Sequence, residues 1–141
     1  MRAYVEAFGP EGLDRTLAGL CDAGEEDVFQ RALERAGLGT QLDRAALATL
    51  RFRVCVADLE DELIRALGPA AVQEMFDWHG ELDSFRTFQK QRAQQGRDIQ
   101  PQLRRFIGTT SGRKAWYARA LVEALELSRV PRPLDGVLAS V

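Results

Sequence analysis

Residues 51–63 constrain the fold more than any other part of the chain. The stretch Phe52–Val56 is apolar and rich in β-branched residues, which is typical of a buried strand. A helical pattern begins directly after it at Asp58, which is a good N-cap, and acids in a first helical turn interact favourably with the helix dipole. The segment therefore predicts a strand leading into a helix, with a cluster of acids at the strand's carboxyl end, where open α/β sheets collect ligands and catalytic groups. These acids are Asp58, Glu60, Asp61 and Glu62.

A second strand and helix precede this segment. Thr16–Cys21 has the pattern of a short buried strand that ends at Asp22, and Glu25–Ala36 has the apolar spacing of an amphipathic helix. The residues of this helix expected to face inward are Val28, Phe29, Ala32, Leu33 and Ala36. A short helix capped by Asp43 then leads into the central strand. Strand, helix and strand in this order form a βαβ-type unit, so we expect the two strands to be parallel. Asp22 and Asp58 would then lie at the same edge of a small sheet.

The chain after Gly68 is helical in pattern. We therefore predict an α/β protein in which residues 1–68 form the sheet-containing core and residues 69–141 form a helical part of the same domain. Trp78 and Trp116 are interpreted as packing residues and not as base-stacking platforms, and His79 as a helix-end residue. The predicted helices cover Ala70–Trp78, Asp83 or Ser84 to about Gly96, Ile99–Ile107 and Ala115–Leu127, with a last turn after Pro133.

Composition indicates a globular protein without a membrane span. The chain is 45% hydrophobic and 28% charged, which argues against disorder. No apolar run approaches the roughly 20 residues of a membrane helix, and no signal-peptide pattern opens the chain. Cys21 and Cys55 lie in strand-like segments and are interpreted as reduced, buried thiols of a cytoplasmic protein, with a disulfide as the less favoured alternative.

Charge is distributed unevenly along the chain. Residues 22–62 hold ten acids and five bases, whereas residues 84–121 hold nine bases and one acid, Asp98. An acidic half that holds a cation and a basic half that holds a polyanion would suit a nucleic-acid-processing protein. The alternative, which charge alone favours, is that these residues solvate helix faces and pair across the domain. The nine bases are Arg86, Lys90, Arg92, Arg97, Arg104, Arg105, Arg113, Lys114 and Arg119.

The acids near the two strand ends predict a metal site. Clustered carboxylates repel one another unless a cation lies among them, and hard oxygen ligands suit Mg²⁺ or Mn²⁺ better than Zn²⁺. The alternative is that Asp22 and Asp58 are helix caps and that the other acids are solvated. Farther along, the small-residue loop of residues 108–112 precedes Arg113, Lys114 and a helix, an arrangement that can hold a phosphate.

Four stretches together resemble the Toprim domain of OLD-family proteins. The resemblance implies a Rossmann-like, metal-dependent nuclease or nucleotidyl-transferase/hydrolase domain, often attached to an ABC-type ATPase. It covers nearly the whole chain. The stretches are residues 17–26 (LAGLCDAGEE), 54–63 (VCVADLEDEL), 84–91 (SFRTFQKQ) and 108–114 (GTTSGRK).

The resemblance also implies roles for individual residues. Asp22, Asp58 and Glu60 would bind Mg²⁺ or Mn²⁺, and Lys114 with Arg113 would assist phosphodiester cleavage. Two departures from the family pattern stand out. The usual Asp-x-Asp pair reads Asp22-Ala23-Gly24, so one ligand is missing or is replaced by Glu25 or Glu26. The family's leading strand with its glycine-flanked glutamate is absent, so the chain resembles a Toprim domain without its N-terminal part.

These expectations give two functional hypotheses. The first is a magnesium-dependent nuclease that acts on nucleic acid, with DNA as the favoured substrate. The second is a catalytically impaired Toprim remnant that binds nucleic acid or a protein. The resemblance implies an ABC-type ATPase as a protein partner. A second copy of the chain is the other expected partner, because two predicted strands leave open sheet edges unless the C-terminal helices or a further segment cover them.

Overall fold

The computed structural model describes residues 2–109 and 111–140. The predicted α/β class is confirmed, since the described residues form mostly helices and one two-stranded parallel sheet. The chain divides into two compact units, unit 1 with residues 1–59 and 131–141 and unit 2 with residues 60–130. The described elements are α1 (Arg2–Phe8), β1 (Gly19–Cys21), α2 (Glu26–Arg35), α3 (Arg44–Thr49), β2 (Phe52–Val54), α4 (Leu59–Leu67), α5 (Pro69–Trp78), α6 (Leu82–Gln89), α7 (Ile99–Ile107), α8 (Ser111–Glu123) and α9 (Arg132–Leu138).

The two strands of unit 1 pair in parallel, as predicted. Gly19 lies opposite Phe52 and Cys21 opposite Val54. A side chain at position 19 would force its neighbours to move, because a Cβ atom there would lie 2.8 Å from the Phe52 ring. Both strands are shorter than predicted, but the pairing continues beyond them, since the Cys55 N–H donates to the Cys21 carbonyl at 2.9 Å.

The core of unit 1 lies between the helices and this sheet. The rings of Phe29 and Phe52 pack edge to face with centroids 5.4 Å apart. Val28, one of the residues predicted to face inward on α2, is 61% exposed, because the buried face of this helix runs through Phe29, Ala32 and Leu33. Both cysteines are buried and reduced, as predicted. The core cluster comprises Val5, Cys21, Phe29, Leu33, Ala36, Leu42, Leu47 and Phe52.

Unit 2 is built on an aromatic core. The ring of Phe76 contacts the rings of Phe85, Phe106 and Tyr117, each at a centroid distance of 5.0 Å. Such offset and edge-to-face contacts are worth about 0.5–1.5 kcal/mol each beyond the burial of area. None of the described helices in either unit is long and apolar enough to cross a membrane.

Two helices of unit 2 have boundaries that differ from prediction. Helix α6 ends at Gln89 and not near Gly96, because residues 90–98 form a folded loop whose carbonyls accept hydrogen bonds from glutamine side chains. Helix α8 spans Ser111–Glu123 and not Ala115–Leu127, so Arg113 and Lys114 lie in its first turn and not in a loop before it. Thr110, part of the predicted phosphate-binding loop, lies outside the described residues.

Candidate functional site

Asp22 and Asp58 of unit 1 lie at the carboxyl ends of the two strands, as the parallel order predicts. The Ala23 N–H donates to the Ala57 carbonyl at 2.9 Å, which continues the strand pairing to this edge. The backbone N–H of Leu59, the first residue of α4, donates to Asp22 Oδ1 at 3.3 Å. Asp22 therefore satisfies a free N–H at the start of a helix that is distant from it in the sequence.

Glu26, the third predicted metal ligand of unit 1, is held by an arginine. Arg44 Nε donates to both carboxylate oxygens of Glu26 at 3.0 Å, and Arg44 Nη2 donates to Oε2 at 2.6 Å. This charge-assisted hydrogen bonding lowers the pKa of Glu26. The carboxylate would have to exchange the guanidinium for a metal ion before it could act as a ligand.

Glu60 and Lys114 of unit 2 form an ion pair. Lys114 Nζ lies 3.0 Å from Glu60 Oε1, and the side chain of Glu60 is only 17% exposed. The structure therefore brings the predicted ligand and the predicted catalytic lysine together. It also means that each charge already has a partner.

Arg113 takes part in a different network. Its Nε and Nη2 groups donate to the Glu81 carboxylate at 2.9–3.1 Å, Nη1 donates to Thr109 Oγ1 at 2.6 Å, and the guanidinium carbon lies 4.2 Å from the centre of the Phe106 ring. The hydroxyl of the buried Tyr117 donates to Glu81 Oε2 at 2.9 Å. We name Glu81, Arg113 and Tyr117 the clamp.

The electrostatics of the clamp follow from its burial and its hydrogen bonds. Burial raises the pKa of Glu81, but the hydrogen bonds from Arg113 and Tyr117 outweigh it, so that the pKa of Glu81 is lowered on balance. Burial, followed by the hydrogen bond to Glu81, raises the pKa of Tyr117. No local pattern indicates the role of Glu81, because it lies 32 residues from Arg113 and 36 from Tyr117.

The described carboxylates fit a magnesium site only in part. Proteins often hold Mg²⁺ through one or two carboxylates that are completed by waters and substrate phosphates. Asp22 and Asp58 are of the right chemical type for such a site. Within the described part of the chain, however, no group of three or more His, Cys, Asp or Glu residues is placed to hold a metal ion. A metal cage made from protein ligands alone is therefore not present among these residues.

A basic loop in unit 2 is a stronger candidate for ligand binding. Lys90, Arg92 and Arg97 lie exposed in the loop of residues 90–98, and Arg105 is exposed on α7. None of the four forms an ion pair with any residue that the structure describes. We name these four residues the basic surface.

A buried glutamine gives the basic loop a defined conformation. The side chain of Gln102 donates to the carbonyls of Gln94 at 2.9 Å and Arg97 at 3.2 Å, and accepts a hydrogen bond from Gln89 at 2.7 Å. Gln95 donates to the Lys90 carbonyl at 3.2 Å. The loop therefore presents its cations from a preformed backbone.

One of the two tryptophans departs from prediction. Trp78 is 92% exposed, so its interpretation as a packing residue is wrong. Trp116 is 43% exposed but packs against two rings: it stacks on His79 at the end of α5, with centroids 3.8 Å apart and an interplanar angle of 17°, and meets Tyr117 edge-on at 4.7 Å. His79 is the C-cap residue of α5, as predicted.

Comparisons with known proteins add no family to this description. No protein-family model, no curated protein and no solved structure matches the chain. The resemblance to Toprim domains of OLD-family proteins therefore stays a prediction that rests on the four sequence stretches. Any functional conclusion depends on the geometry of the two units.

Proposed function

We propose that the chain is a catalytically impaired Toprim-type module that binds nucleic acid through the basic surface of unit 2. The observation that carries this proposal is the loop of residues 90–98, whose cations Lys90, Arg92 and Arg97 are exposed and have no ion-pair partner among the described residues. Phosphate groups are the natural partners of exposed cations without ion-pair partners, since contacts to phosphates supply most of non-specific nucleic-acid affinity.

The preformed loop supports the proposal energetically. Ordering a flexible side chain at an interface costs about 0.5–1.5 kcal/mol, and a mobile loop adds its own cost. Because Gln102 and Gln95 already fix the backbone of the loop, binding would order only the side chains. Neutralising each phosphate also releases counterions, which favours binding at low salt.

The pairing of the expected catalytic residues argues for impairment. Glu26 is bonded to Arg44, and Arg113 is bonded to Glu81. Lys114 is paired with Glu60. A metal ion at Glu26, or a phosphate at Arg113 or Lys114, would have to displace the partner that each residue already has.

Fluorescence anisotropy with labelled DNA oligonucleotides, single-stranded and duplex, tests the proposal. The double variant Arg92→Ala/Arg97→Ala removes two cations of the basic surface. The matched control Arg31→Ala/Arg35→Ala removes two exposed arginines of α2 in unit 1 and changes the net charge by the same amount. We expect the first variant to lose most of the affinity at moderate salt and the control to keep it. Equal losses in both variants, or no binding by the natural chain, would reject the proposal.

A magnesium-dependent nuclease is the second candidate, and one observation in each unit favours it. In unit 1, Asp22 bonds the backbone beside Asp58; in unit 2, Lys114 lies 3.0 Å from Glu60. Calorimetric titration with Mg²⁺ or Mn²⁺, followed by a plasmid-nicking assay, distinguishes the two candidates. Nicking by the natural chain that disappears in a folded Asp58→Ala variant would favour the nuclease.

The proposed impairment predicts no nicking by this chain with either metal ion. Addition of a second protein, such as the ABC-type ATPase that the resemblance implies, would restore nicking only if that protein completes the site. Nicking by the chain alone would contradict the impairment but not the binding of nucleic acid.

A further inference from the structure

An exposed pair of stacked rings lies on unit 2. The Trp116 indole and the His79 imidazole are nearly parallel at a centroid distance of 3.8 Å, and 43% of Trp116 is exposed. Trp78 precedes His79 at the end of α5 and is 92% exposed. We name the pair of His79 and Trp116 the aromatic platform.

The buried ring of Tyr117 holds the platform in place. Tyr117 is fully buried and meets both exposed rings edge-on, with its centroid 5.8 Å from that of His79 and 4.7 Å from that of Trp116. Phe76 packs edge-on against Tyr117 from the core, and Glu81 accepts the Tyr117 hydroxyl. Because the platform is held in place before any ligand arrives, a planar ligand would stack on it at low entropic cost.

The segment that contains Trp116 indicates what kind of planar ligand would bind. Residues 84–121 hold nine bases and one acid. Close to the platform the charges are mixed, since Arg119 pairs with Glu123 at 2.7 Å and Asp77 and Glu81 lie two residues either side of His79. The basic residues elsewhere in the segment, combined with an exposed aromatic surface, suit a polyanion that carries flat rings.

We infer that the aromatic platform stacks unpaired nucleobases, so that single-stranded nucleic acid is the preferred ligand of unit 2. This inference rests on the proposed nucleic-acid binding and names the substrate class. Single-stranded nucleic acids expose the faces of their bases, and proteins bind them by combining basic grooves with aromatic side chains. In a duplex the base faces are stacked on one another, so only the backbone is accessible to the platform.

Anisotropy with a labelled DNA strand of about 20 nucleotides, enough for a site of typical size, tests the inference against the matching duplex. We expect the natural chain to bind the single strand more tightly. Trp116→Ala should weaken single-strand binding about tenfold, within the range for one lost base stack, and leave duplex binding unchanged. Trp116→Phe keeps a stacking ring and should recover most of the loss. Leu127→Ala, which removes another exposed apolar side chain, is the matched control and should have no effect.

Fluorescence gives a direct reading of contact. The chain has two tryptophans, so Trp116 is the only indole in a Trp78→Phe variant. Stacking of a base on Trp116 should quench its emission on addition of an unlabelled single strand. Circular dichroism of each variant establishes that it is folded.

The results separate this inference from the function on which it rests. If Trp116→Ala binds the single strand as tightly as the natural chain does, while Arg92→Ala/Arg97→Ala loses affinity, the platform proposal is overturned and the binding proposal stands. If the natural chain binds neither strand form, both are overturned. If Trp116→Ala instead abolishes self-association without a change in DNA affinity, the platform is a protein contact and the inference is wrong.

Discussion

Removal of Glu81 should destabilise unit 2 far more than removal of a nearby exposed acid. Glu81→Ala leaves the hydroxyl of the fully buried Tyr117 without its acceptor, and an unsatisfied buried donor costs about 1–3 kcal/mol. It also removes the bidentate partner of Arg113, whose side chain is only 19% exposed. Arg113 keeps its bond to Thr109 and some contact with water, so this second cost is well below the ~3–5 kcal/mol of a fully buried pair. The expected total is about 2–4 kcal/mol.

Urea denaturation followed by circular dichroism measures this loss in the free energy of unfolding. Tyr117→Phe, which removes only the hydroxyl, should cost about 1 kcal/mol. Asp83→Ala is the matched control, because Asp83 lies two residues from Glu81 and is 96% exposed. Its loss should stay within about 0.5 kcal/mol, since exposed ion pairs contribute little. A Glu81→Ala variant no less stable than Asp83→Ala would refute the clamp as a stabilising network.

Three further outcomes follow from the structure. The pKa of Glu81 is lowered in the folded chain, so ionised Glu81 contributes its full stabilisation above the usual carboxyl range, and this contribution is lost as pH falls through the folded-state pKa. In urea titrations, the difference in unfolding free energy between the natural chain and Glu81→Gln should therefore shrink on acidification. Burial, aided by nearby carboxylates, raises the pKa of the Cys21 thiol to about 11. Alkylation of Cys21 at neutral pH, followed by mass spectrometry, should therefore be slow in the native chain and fast after denaturation. Gly19→Ala should destabilise unit 1 by about 1–3 kcal/mol, because the added methyl would overlap the Phe52 ring, and an unchanged melting temperature would contradict this close approach.

Local signals in the sequence predicted most of the secondary structure. Asp43 caps α3 by accepting the Ala46 N–H at 2.7 Å, and Pro69 occupies the first turn of α5. Gly37 follows α2 with a φ of 74°, a conformation in which glycine is favoured. Each of these features depends on residues within a few positions of one another. The parallel pairing of the strands followed from their order and connection.

The partners of the expected site residues could not be predicted in this way. Glu26 finds Arg44, which lies 18 residues away, and Arg113 finds Glu81, which lies 32 residues away. No spacing rule relates such positions, because tertiary packing decides which charges meet. The sequence located the acids at the strand ends, but it did not reveal that Glu26, Glu60, Arg113 and Lys114 are already paired.

The exposure of Trp78 and the conformation of the loop of residues 90–98 also depend on tertiary packing and were not predicted. An apolar side chain is expected to pack in the core, but the sequence does not show whether the core has space for it, so the exposure of Trp78 is visible only in the structure. The early end of α6 depends on Gln102, whose side chain bonds the carbonyls of the following loop. A polar residue that is buried to hold a loop has no distinctive sequence pattern.

The salt dependence of single-strand binding measures how many phosphates the basic surface contacts. Each phosphate contact contributes about 0.7 to the slope of log affinity against log salt concentration, so the loss of two contacts in Arg92→Ala/Arg97→Ala should reduce that slope by about 1.4. The unit 1 control, Arg31→Ala/Arg35→Ala, should keep the slope of the natural chain. An unchanged slope in the first variant, or an equal reduction in both, would contradict the assignment of nucleic-acid binding to the basic surface.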